Sequence, residues 1–401
     1  MKNKKLNVAI ILPIIISKNG TAKQSLELAK ALLKKGHNVS FFTYAYLKGS
    51  SFPEFEKFNI YFCTNVNKSI IYKFIKNIST LEKVYLYMAL IYISRFRNLF
   101  KDKEINILNP HDWFGIWVSG GLGFQGVPII ANINDVPSRL HGNFWERFKL
   151  KMDRKFSKKI SKIIVLDNNN KERAKKWLKI NDNKVTVIRS GIDVNRFRNF
   201  KSKLDLRQEV GIDKNSTLLV CANLLARNRR YEDVLYALKK LKNKSIHLII
   251  LSKLDFDKKY GGFLKNIVSE EKLESHVHLI DKYFTDEERM KYIKNCDILI
   301  FPNNPQTWGL TAIEAMALGL PVIVSSGSGV SEVLSDGVNA IVYQAGNVDM
   351  LTEKITKYLN NGKELKKIAK NGQRYVLSTF SWDKFADNIE RIMVQSLKMK
   401  S

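Results

Sequence analysis

Short apolar runs alternate with segments of helical periodicity along most of this chain. The run from Val8 to Leu12 is uninterrupted, which is typical of a strand buried on both faces of a sheet. Thr21 and Gln24 then have the spacing of a capping box, and an apolar stripe of helical period follows them as far as Gly36. The segment from Val39 to Thr43 is predicted to be the next strand. Because a strand, a helix and a strand in this order need a crossover connection, the pattern predicts a parallel sheet.

The same alternation continues towards the C-terminus in two successive halves. Predicted strands of the first half lie at 105–108, 128–132, 162–166 and 185–188, and those of the second at 218–222, 247–251, 277–280, 298–301 and 321–324. The turn cluster from Ser190 to Asp193 marks the boundary between the halves. The predicted fold class is therefore α/β, with two doubly wound sheets that bind ligands at the carboxyl ends of their strands.

Composition supports a folded globular chain of two domains. Its 401 residues, 45% of them hydrophobic, suffice for two domains that each bury a core. The formal net charge of +29 favours anionic partners such as phosphates or lipid headgroups, although a lysine-rich composition alone also explains it. A nucleic-acid partner is not expected, because the basic residues form no recognised nucleic-acid-binding motif.

The cysteines and apolar segments bear on the compartment. Cys63, Cys221 and Cys296 are far apart and lack metal-ligand spacing, so we expect no disulfide framework, no metal site and a cytoplasmic location. The apolar N-terminus is interpreted as a buried strand rather than a signal peptide. The longest other apolar run, from Val84 to Ile93, is too short to span a membrane, which takes about 20 residues.

The most informative segment follows the predicted strand that ends at Phe301. Gly309 opens a short helix, and the N–H groups and dipole at such an N-terminus favour a phosphate. Glu314 in this helix is a candidate for contact with ribose hydroxyls, with a structural capping role as the alternative. Ser326 to Gly329, after the next strand, form a second glycine-rich turn.

Three arginines occupy the loop after the first strand of the second half. Arg227, Arg229 and Arg230 precede the helix that begins near Tyr231, so we expect them to face the same crevice as Glu314. Guanidinium groups suit bidentate contact with a diphosphate and would stabilise a departing nucleotide diphosphate. A solvated basic loop is the alternative.

These segments, taken in order, resemble the retaining family-4 glycosyltransferases of GT-B fold over nearly the whole chain. The specific part of the resemblance runs from Trp308 to Glu332 and includes Trp308-Gly309-Leu310 and Glu314-Ala315-Met316-Ala317. The weaker matches are Asn19-Gly20, Gly36-His37-Asn38-Val39, Val127-Pro128-Ile129-Ile130 with Asn134-Asp135, Ser190-Gly191-Ile192-Asp193-Val194-Asn195-Arg196-Phe197, and Phe380-Ser381-Trp382.

The resemblance implies two Rossmann-like domains that face each other across a cleft. Residues 1–190, joined by a helix returning within 380–401, would bind the acceptor, and residues 191–379 would bind a nucleotide-diphosphate sugar as donor. Family members generally need neither cofactor nor metal, because cationic side chains and helix ends stabilise the leaving group. The implied donor-binding residues are Gly20, Arg229, Arg230, Thr307, Trp308, Gly309, Leu310 and Glu314, and the implied catalytic residues are Asn134, Arg230 and Gln306.

The sequence departs from the family pattern at the reacting end of this implied site. Gln306 replaces the first of two glutamates, Asn134 replaces a histidine, and Ala222-Asn223 replaces a Gly-Arg pair. Arg229 or Arg230 matches an expected lysine. A retaining reaction in this fold is thought to depend on positioning and electrostatics more than on titrating groups, so an active hexosyltransferase is expected. The alternatives are a non-catalytic GT-B partner that binds nucleotide sugar or glycan, and a GT-B sugar epimerase.

Two residues are candidates on the acceptor side. His111 follows the strand at 105–108 and is interpreted as an acceptor contact or a general base, with a structural histidine as the alternative. Asp135, beside Asn134, is a further candidate base.

Two basic segments of the first half contain aromatic residues. Residues 68–103 hold eight basic and two acidic residues around Tyr72, Phe74, Tyr85, Tyr87, Tyr92, Phe96 and Phe100; residues 147–179 hold thirteen basic and three acidic residues with Phe148, Phe156 and Trp177. Such segments suit an anionic bilayer, which predicts a peripheral enzyme at the cytoplasmic membrane face with a glycan or lipid-linked acceptor. Amphipathic helices with core aromatics are the alternative.

Overall fold

The computed structural model describes residues 5–15, 20–49, 51–65, 93, 95–123, 126–137, 144–305 and 308–399. The chain divides into two compact units, Met1–Ser190 with Trp382–Ser401, and Gly191–Ser381. The sequence places these boundaries after residues 190 and 379, so the second observed boundary lies two residues further along the chain.

Parallel strands form the sheet of the first unit. They are β1 (Asn7–Ile15), β2 (Asn38–Tyr46), β3 (Asn59–Asn65), β4 (Ile107–Pro110), β5 (Ile130–Ile133), β6 (Lys162–Val165) and β7 (Val185–Val187). Pairing gives the orders β3-β2-β1-β4 and β5-β6-β7, and parallel bridges from Leu108 to Ile129 and from His111 to Asn132 join the two groups. The order reverses between β1 and β4, as in a doubly wound fold.

Helices cover both faces of this sheet. They are α1 (Gly20–Lys34), α2 (Asp112–Leu122), α3 (Phe144–Ser157), α4 (Asn168–Leu178) and the C-terminal helix (Trp382–Lys398). Helix α1 and the C-terminal helix pack on the face that carries Ile10, Ile107 and Ile130. Helix α2 packs on the opposite face, with Ile11 and Leu108.

The C-terminal helix is anchored to the first unit by a buried histidine. His37 Nδ1 accepts a hydrogen bond from the Leu6 N–H (3.2 Å), so its Nε2–H donates to Glu390 Oε1 (2.8 Å). Lys35 pairs with Glu390 and Asp387 of the same helix. Burial would raise the pKa of Glu390, but the contacts with Lys35 and His37 outweigh it and lower the pKa. The helix thus returns to the first unit, which confirms the topology that the resemblance implied.

The second unit repeats the doubly wound plan. Its strands are β8 (Thr217–Cys221), β9 (Ile246–Leu251), β10 (Val277–Ile280), β11 (Ile298–Phe301), β12 (Val322–Ser325) and β13 (Ile341–Tyr343), in the order β10-β9-β8-β11-β12-β13. Its helices are α5 (Val194–Arg198), α6 (Leu206–Val210), α7 (Tyr231–Leu241), α8 (Lys258–Glu270), α9 (Asp286–Lys294), α10 (Leu310–Ala317), α11 (Val348–Asn360) and α12 (Gly362–Thr379). Both units therefore confirm the predicted α/β class.

The predicted capping box at the start of α1 is wrong. The helix already begins at Gly20, so Thr21 lies inside it. The Thr21 hydroxyl accepts a hydrogen bond from Asn134 Nδ2 (3.1 Å), and Gln24 is buried with no partner for its Oε1. The Thr21 hydroxyl is therefore used in a contact with the loop after β5.

The aromatic residues of the two basic segments are also placed differently from the membrane-surface interpretation. Those at 72–92 lie outside the described residues, and Phe96, Phe100, Phe148, Phe156 and Trp177 pack in or against the core of the first unit. Within the described part of the first unit, the exposed aromatics are Phe144 and Trp145 at the start of α3, with 73% and 48% of their surface accessible. Among the described residues, no helix has both the length and the apolar character needed to cross a membrane.

Candidate functional site

In the second unit, strand order reverses between β8 and β11, and two loops meet where those strands end. The Asn304 N–H donates to Asn228 O (2.8 Å), and Asn228 Nδ2 donates to Pro305 O (3.1 Å). The loop after β8 therefore contacts the loop after β11. Open α/β sheets bind ligands at this position.

Helix α10 begins beside these loops, and no side chain caps its N-terminus. Gly309 is its N-cap residue, and no side chain caps the first turn. A Cβ at Gly309 would lie 2.8 Å from Val330 Cγ1 and 3.0 Å from the Phe301 ring, so a glycine is needed there. The N–H groups of the first turn and the helix dipole favour an anion at this end.

A chain of hydrogen bonds holds the loop after β8 against α10. The Tyr231 hydroxyl accepts from the Asn223 N–H (2.9 Å) and donates to Asn223 O (3.0 Å). Asn223 Oδ1 accepts from the Thr311 hydroxyl in α10 (3.0 Å). The Tyr231 N–H donates to the Tyr260 hydroxyl (2.8 Å), which donates to Glu232 Oε2 (2.5 Å). Asn223, a departure from the family pattern, thus positions the site.

The three arginines of this loop have different environments. The Arg227 guanidinium lies over the Phe263 ring, 5.8 Å from its centroid. Arg230 has the left-handed φ of 50° and forms two bonds with Asp233, from Nε (2.7 Å) and Nη2 (2.6 Å). The Asp233 carboxylate raises the pKa of Arg230, so the guanidinium stays charged. Arg229 acts electrostatically on the Tyr231 hydroxyl, whose pKa is raised chiefly by burial.

Glu314 is held by a residue that the sequence did not single out. Arg289 Nη2, in α9, lies 2.9 Å from Glu314 Oε2 and 3.5 Å from Asp286 Oδ1. Glu314 keeps 17% of its side chain exposed. This contact orients the carboxylate that was predicted to bind ribose hydroxyls.

The other predicted donor-binding residues lie in or near the same loops. Trp308 is buried against Phe380, with ring centroids 5.1 Å apart, and Leu310 is the first residue of α10. Gln306 and Thr307 lie outside the described residues, so their predicted roles remain predictions. Within the described ranges, no group of three or more His, Cys, Asp or Glu residues is arranged to hold a metal ion.

In the first unit, the reversal point between β1 and β4 gathers Gly20, Asn134 and His111. Gly20 begins α1, and Asn134 in the loop after β5 bonds to Thr21 in the first turn of that helix. Asp135 is exposed, and its Oδ1 lies 4.0 Å from Arg173 Nη1.

His111 is fully buried among amides. Its Nε2 lies 3.1 Å from Asn109 Oδ1 and 3.0 Å from Asn132 Nδ2, and its Nδ1 has no partner among the described residues. Burial lowers its pKa from 6.5 to about 3. Such a histidine stays neutral at working pH and takes up a proton poorly, which favours the contact interpretation over the general base.

His111 should give the protein a specific pH dependence of stability. The unfolded chain takes up this proton near pH 6.5 and the folded chain only near pH 3, so the stabilisation present above 6.5 is lost as the pH falls. We expect urea unfolding free energies of wild type to fall by up to about 1.4 kcal/mol per pH unit more than those of His111→Gln below pH 6.5. Parallel pH dependences of the two proteins between pH 7.5 and 5 would contradict this.

Two family models match consecutive parts of the chain. Residues 18–196 match the model described as Glycosyltransferase Family 4, and residues 202–375 match that described as Glycosyl transferases group 1. The chain belongs to the family-4-type glycosyltransferases of GT-B fold. The glycine-bounded helix of Glu314 and the arginine loop both fall within the second matched part.

Named relatives agree with this assignment over most of the chain. An uncharacterized glycosyltransferase of Methanocaldococcus jannaschii is 23% identical over 390 residues, or 95% of both chains. The UDP-Gal:alpha-D-GlcNAc-diphosphoundecaprenol alpha-1,3-galactosyltransferase of Escherichia coli is 23% identical, over 75% of this chain and 78% of its own.

Solved structures show the same fold. Anabaena HepE in complex with UDP has a TM-score of 0.74 at 16% identity and covers 97% of this glycosyltransferase and 100% of its own chain. WaaG, a glycosyltransferase of lipopolysaccharide biosynthesis, has a TM-score of 0.70 at 15% identity and covers 96% and 99%.

Proposed function

We propose that this glycosyltransferase transfers a hexosyl unit from a nucleotide-diphosphate sugar to a glycan or lipid-linked acceptor, with retention of configuration and without a metal ion. The proposal rests on a constellation of three features in the second unit: the uncapped N-terminus of α10, the Arg230 guanidinium held by Asp233, and the Glu314 carboxylate. All three belong to elements near the reversal of strand order between β8 and β11. HepE, which shares the fold, binds UDP.

Each part of the constellation has a role in the proposed reaction. The C1–O bond between sugar and diphosphate breaks as the acceptor oxygen bonds to C1, and the acceptor proton leaves with the diphosphate. Arg230, Arg229 and the α10 N-terminus stabilise the departing negative charge. Glu314 binds the ribose hydroxyls, and Gln306 holds a sugar hydroxyl through its neutral amide.

The competing function is a non-catalytic partner that binds nucleotide sugar or glycan. It is motivated by the neutral side chains at Asn134, Asn223 and Gln306. Asn223 and Asn134 nevertheless form specific hydrogen bonds, with Thr311 and Thr21 respectively, and so retain positioning roles. These bonds favour the active enzyme.

Calorimetric titration of the full-length protein with a panel of UDP- and GDP-sugars tests the donor assignment. We expect micromolar binding of one sugar series, followed by release of free nucleotide when an acceptor extract is added. Binding without turnover, together with activity that appears only in Gln306→Glu, would establish the partner function instead. Absence of nucleotide binding would exclude the transferase and a partner that binds nucleotide sugar.

The acceptor is proposed to be presented at the cytoplasmic face of a membrane. The Escherichia coli relative is named for a diphosphoundecaprenol-linked acceptor, and a Campylobacter jejuni relative, 24% identical over 58% of this chain, is named for a diphospho-undecaprenol acceptor. Helix α3 offers a suitable surface. Its exposed aromatic pair, Phe144 and Trp145, precedes exposed basic residues at helical spacing, namely Arg147, Lys151 and Lys155.

Co-sedimentation with anionic vesicles at low salt tests this surface. We expect the double variant Phe144→Ser/Trp145→Ser to bind phosphatidylglycerol vesicles about tenfold less than wild type, because aromatic insertion and charge attraction act together. Tyr283→Ser, which removes a 72% exposed aromatic from the second unit, serves as the control and should bind normally. Failure of the wild type to bind such vesicles would exclude the proposal.

Gly327 packs against Asn304 in the loop after β11, and its replacement should weaken donor binding. A Cβ there would lie 2.4 Å from Asn304 Oδ1 and 2.6 Å from Cγ, so Asn304 must move, and its backbone joins the two loops. We expect Gly327→Ala to cost about 1–3 kcal/mol of unfolding free energy and to raise the nucleotide-sugar Kd about tenfold. Gly262→Ala, in open space in α8, is the control and should leave both unchanged or slightly improve stability. Wild-type donor affinity in Gly327→Ala would show that Asn304 adjusts without affecting the site.

A further inference from the structure

Four buried or half-buried polar side chains of the first unit lie on one face of its sheet, where the strands end. Asn132 follows Ile130 at the next alternate position of β5 and so shares its face. His111, one residue beyond β4, pairs with Asn132, and Asn134, one residue beyond β5, bonds to Thr21 of α1. Ile107 and Ile130 belong to the core under α1. Gln24 lies one turn after Thr21, the residue of α1 that bonds to Asn134. We name Gln24, His111, Asn132 and Asn134 the amide set.

Each member of the amide set has one polar atom without a hydrogen-bond partner among the described residues. These atoms are Gln24 Oε1, His111 Nδ1, Asn132 Oδ1 and Asn134 Oδ1. Gln24, His111 and Asn132 are 4%, 0% and 2% exposed. An unpaired buried acceptor costs about 1–3 kcal/mol, so four in one place indicate a ligand that completes them.

The polarity of the set follows from its internal bonds. Asn109 Nδ2 donates to Ile130 O (2.6 Å), so Asn109 Oδ1 faces His111 Nε2. Asn132 presents its Nδ2 to the same nitrogen, and Asn134 presents its Nδ2 to Thr21. Three amide oxygens therefore remain as acceptors, while the neutral His111 presents Nδ1 as acceptor or donor according to its tautomer.

The set carries no charge. Among the described residues, no Lys or Arg side chain forms a hydrogen bond or ion pair with any of its four members. The charged pair at its margin, Asp135 and Arg173, is largely self-compensating. Phosphate and carboxylate groups present only acceptors at neutral pH and would be repelled by amide oxygens, whereas hydroxyl groups would donate to them.

We propose that the amide set binds an uncharged, hydroxyl-bearing saccharide unit and discriminates against anionic sugars, with Gln24 and Asn132 as specificity-determining residues. This inference rests on the proposed glycosyltransferase function and assigns a substrate class to the first unit. It also explains why α1 buries a glutamine whose Oε1 has no hydrogen-bond partner among the described residues.

Ring ¹⁵N spectra of the full-length, histidine-labelled protein test the proposal, with the His111 signal assigned from His111→Gln. We expect methyl α-glucoside or N-acetylglucosamine to shift His111 Nδ1, and glucuronate and glucose 6-phosphate to bind at least about tenfold more weakly. Equal affinity for anionic sugars, or no shift with any saccharide, would overturn the proposal.

Gln24→Met separates ligand binding from a structural role. Because it removes an unpaired acceptor at nearly constant volume, it should raise the melting temperature and weaken the neutral saccharide about tenfold. Ser119→Ala, which removes a buried unpaired hydroxyl from α2 on the opposite face, should leave saccharide affinity unchanged. A lower melting temperature with unchanged saccharide affinity in Gln24→Met would instead indicate a buried water. Nucleotide titration remains the separate test of the proposed function: nucleotide binding without any saccharide effect rejects this inference alone.

Discussion

Replacing Arg230 with Gln is expected to lower kcat for sugar transfer by about 10²–10³-fold, which is the usual cost of removing one preorganised donor to a developing negative charge. Asp233 is 2% exposed and binds the Arg230 fork at 2.6 and 2.7 Å, so the guanidinium is held in place before substrate arrives. The contact uses Nε and Nη2 and leaves Nη1 for a phosphate oxygen. A steady-state assay with the donor identified by titration measures the effect.

The same substitution leaves a buried carboxylate alone, so stability and chemistry must be separated. Loss of the partner of a buried ion costs about 3–5 kcal/mol, which we expect Arg230→Gln to show as a lowered melting temperature. The double variant Arg230→Gln/Asp233→Asn removes that unpaired charge and should recover most of the stability but not the activity. Arg227→Gln, whose guanidinium lies over Phe263, is the matched control and should retain nearly full kcat. Recovery of activity in the double variant would show that Arg230 acts only through folding.

Sequence pattern predicts the strands and helices of this fold well because both sheets are buried on both faces. The runs Val8 to Leu12 and Ile298 to Phe301 consist of apolar residues, each lies within a strand, and every residue of both runs is buried. The helix predicted from Tyr231 to Leu241 has those same bounds in the structure.

The predicted helix cap was less reliable than the hydrophobic pattern, because tertiary contacts compete for the capping side chains. Thr21 and Gln24 have the spacing of a capping box, but Thr21 lies inside the helix and bonds to Asn134, and Gln24 is buried with no partner for its Oε1.

Residues of the candidate site could be predicted where a local sequence motif determines the shape of the backbone. They could not be predicted where side chains of two separate elements form a pair. Gly309 and Glu314 were identified from the order of turn, glycine and helix. Arg289 was not identified, because it lies on a different helix from Glu314 and the two residues are 25 positions apart in sequence. Asn109 and Asn132 did carry a signal: each is an amide inside an otherwise apolar strand, which is costly unless it has a partner or a function.

The basic segment at 147–179 shows why aromatic residues cannot be assigned to a surface from charge alone. Asp153, fully buried in α3, accepts hydrogen bonds from Trp117 Nε1 and Trp177 Nε1, both at 2.8 Å, and pairs with Lys149 Nζ at 2.9 Å. Lys149 also lies over the Trp113 ring, 4.2 Å from its centroid. Asp153 thus binds Trp117, Trp177 and Lys149, which belong to three different helices, in the interior of the first unit.

Replacing Asp153 with Ala is therefore expected to be the most destabilising single substitution considered for the first unit. It leaves the indole N–H groups of Trp117 and Trp177 buried without this acceptor, and it removes the Asp153 partner of the largely buried Lys149 ammonium. Breaking a buried ion pair costs about 3–5 kcal/mol, a large part of the roughly 5–15 kcal/mol that stabilises a typical domain. We expect the first thermal transition of the full-length protein to fall by about 10 °C, as measured by calorimetry.

Two further variants show whether the charge or the hydrogen bonds carry this stabilisation. Asp153→Asn/Lys149→Met removes both charges but keeps one acceptor for an indole, and it should recover much of the loss, because a buried ion pair contributes little beyond a neutral pair of similar volume. Asp182→Ala removes an exposed acid that pairs with Lys171 and Lys175, and should not change the transition. If Asp153→Ala melts as the wild type does, the three helices are held by apolar packing alone; if the double variant melts as low as Asp153→Ala, the indole bonds need the full carboxylate.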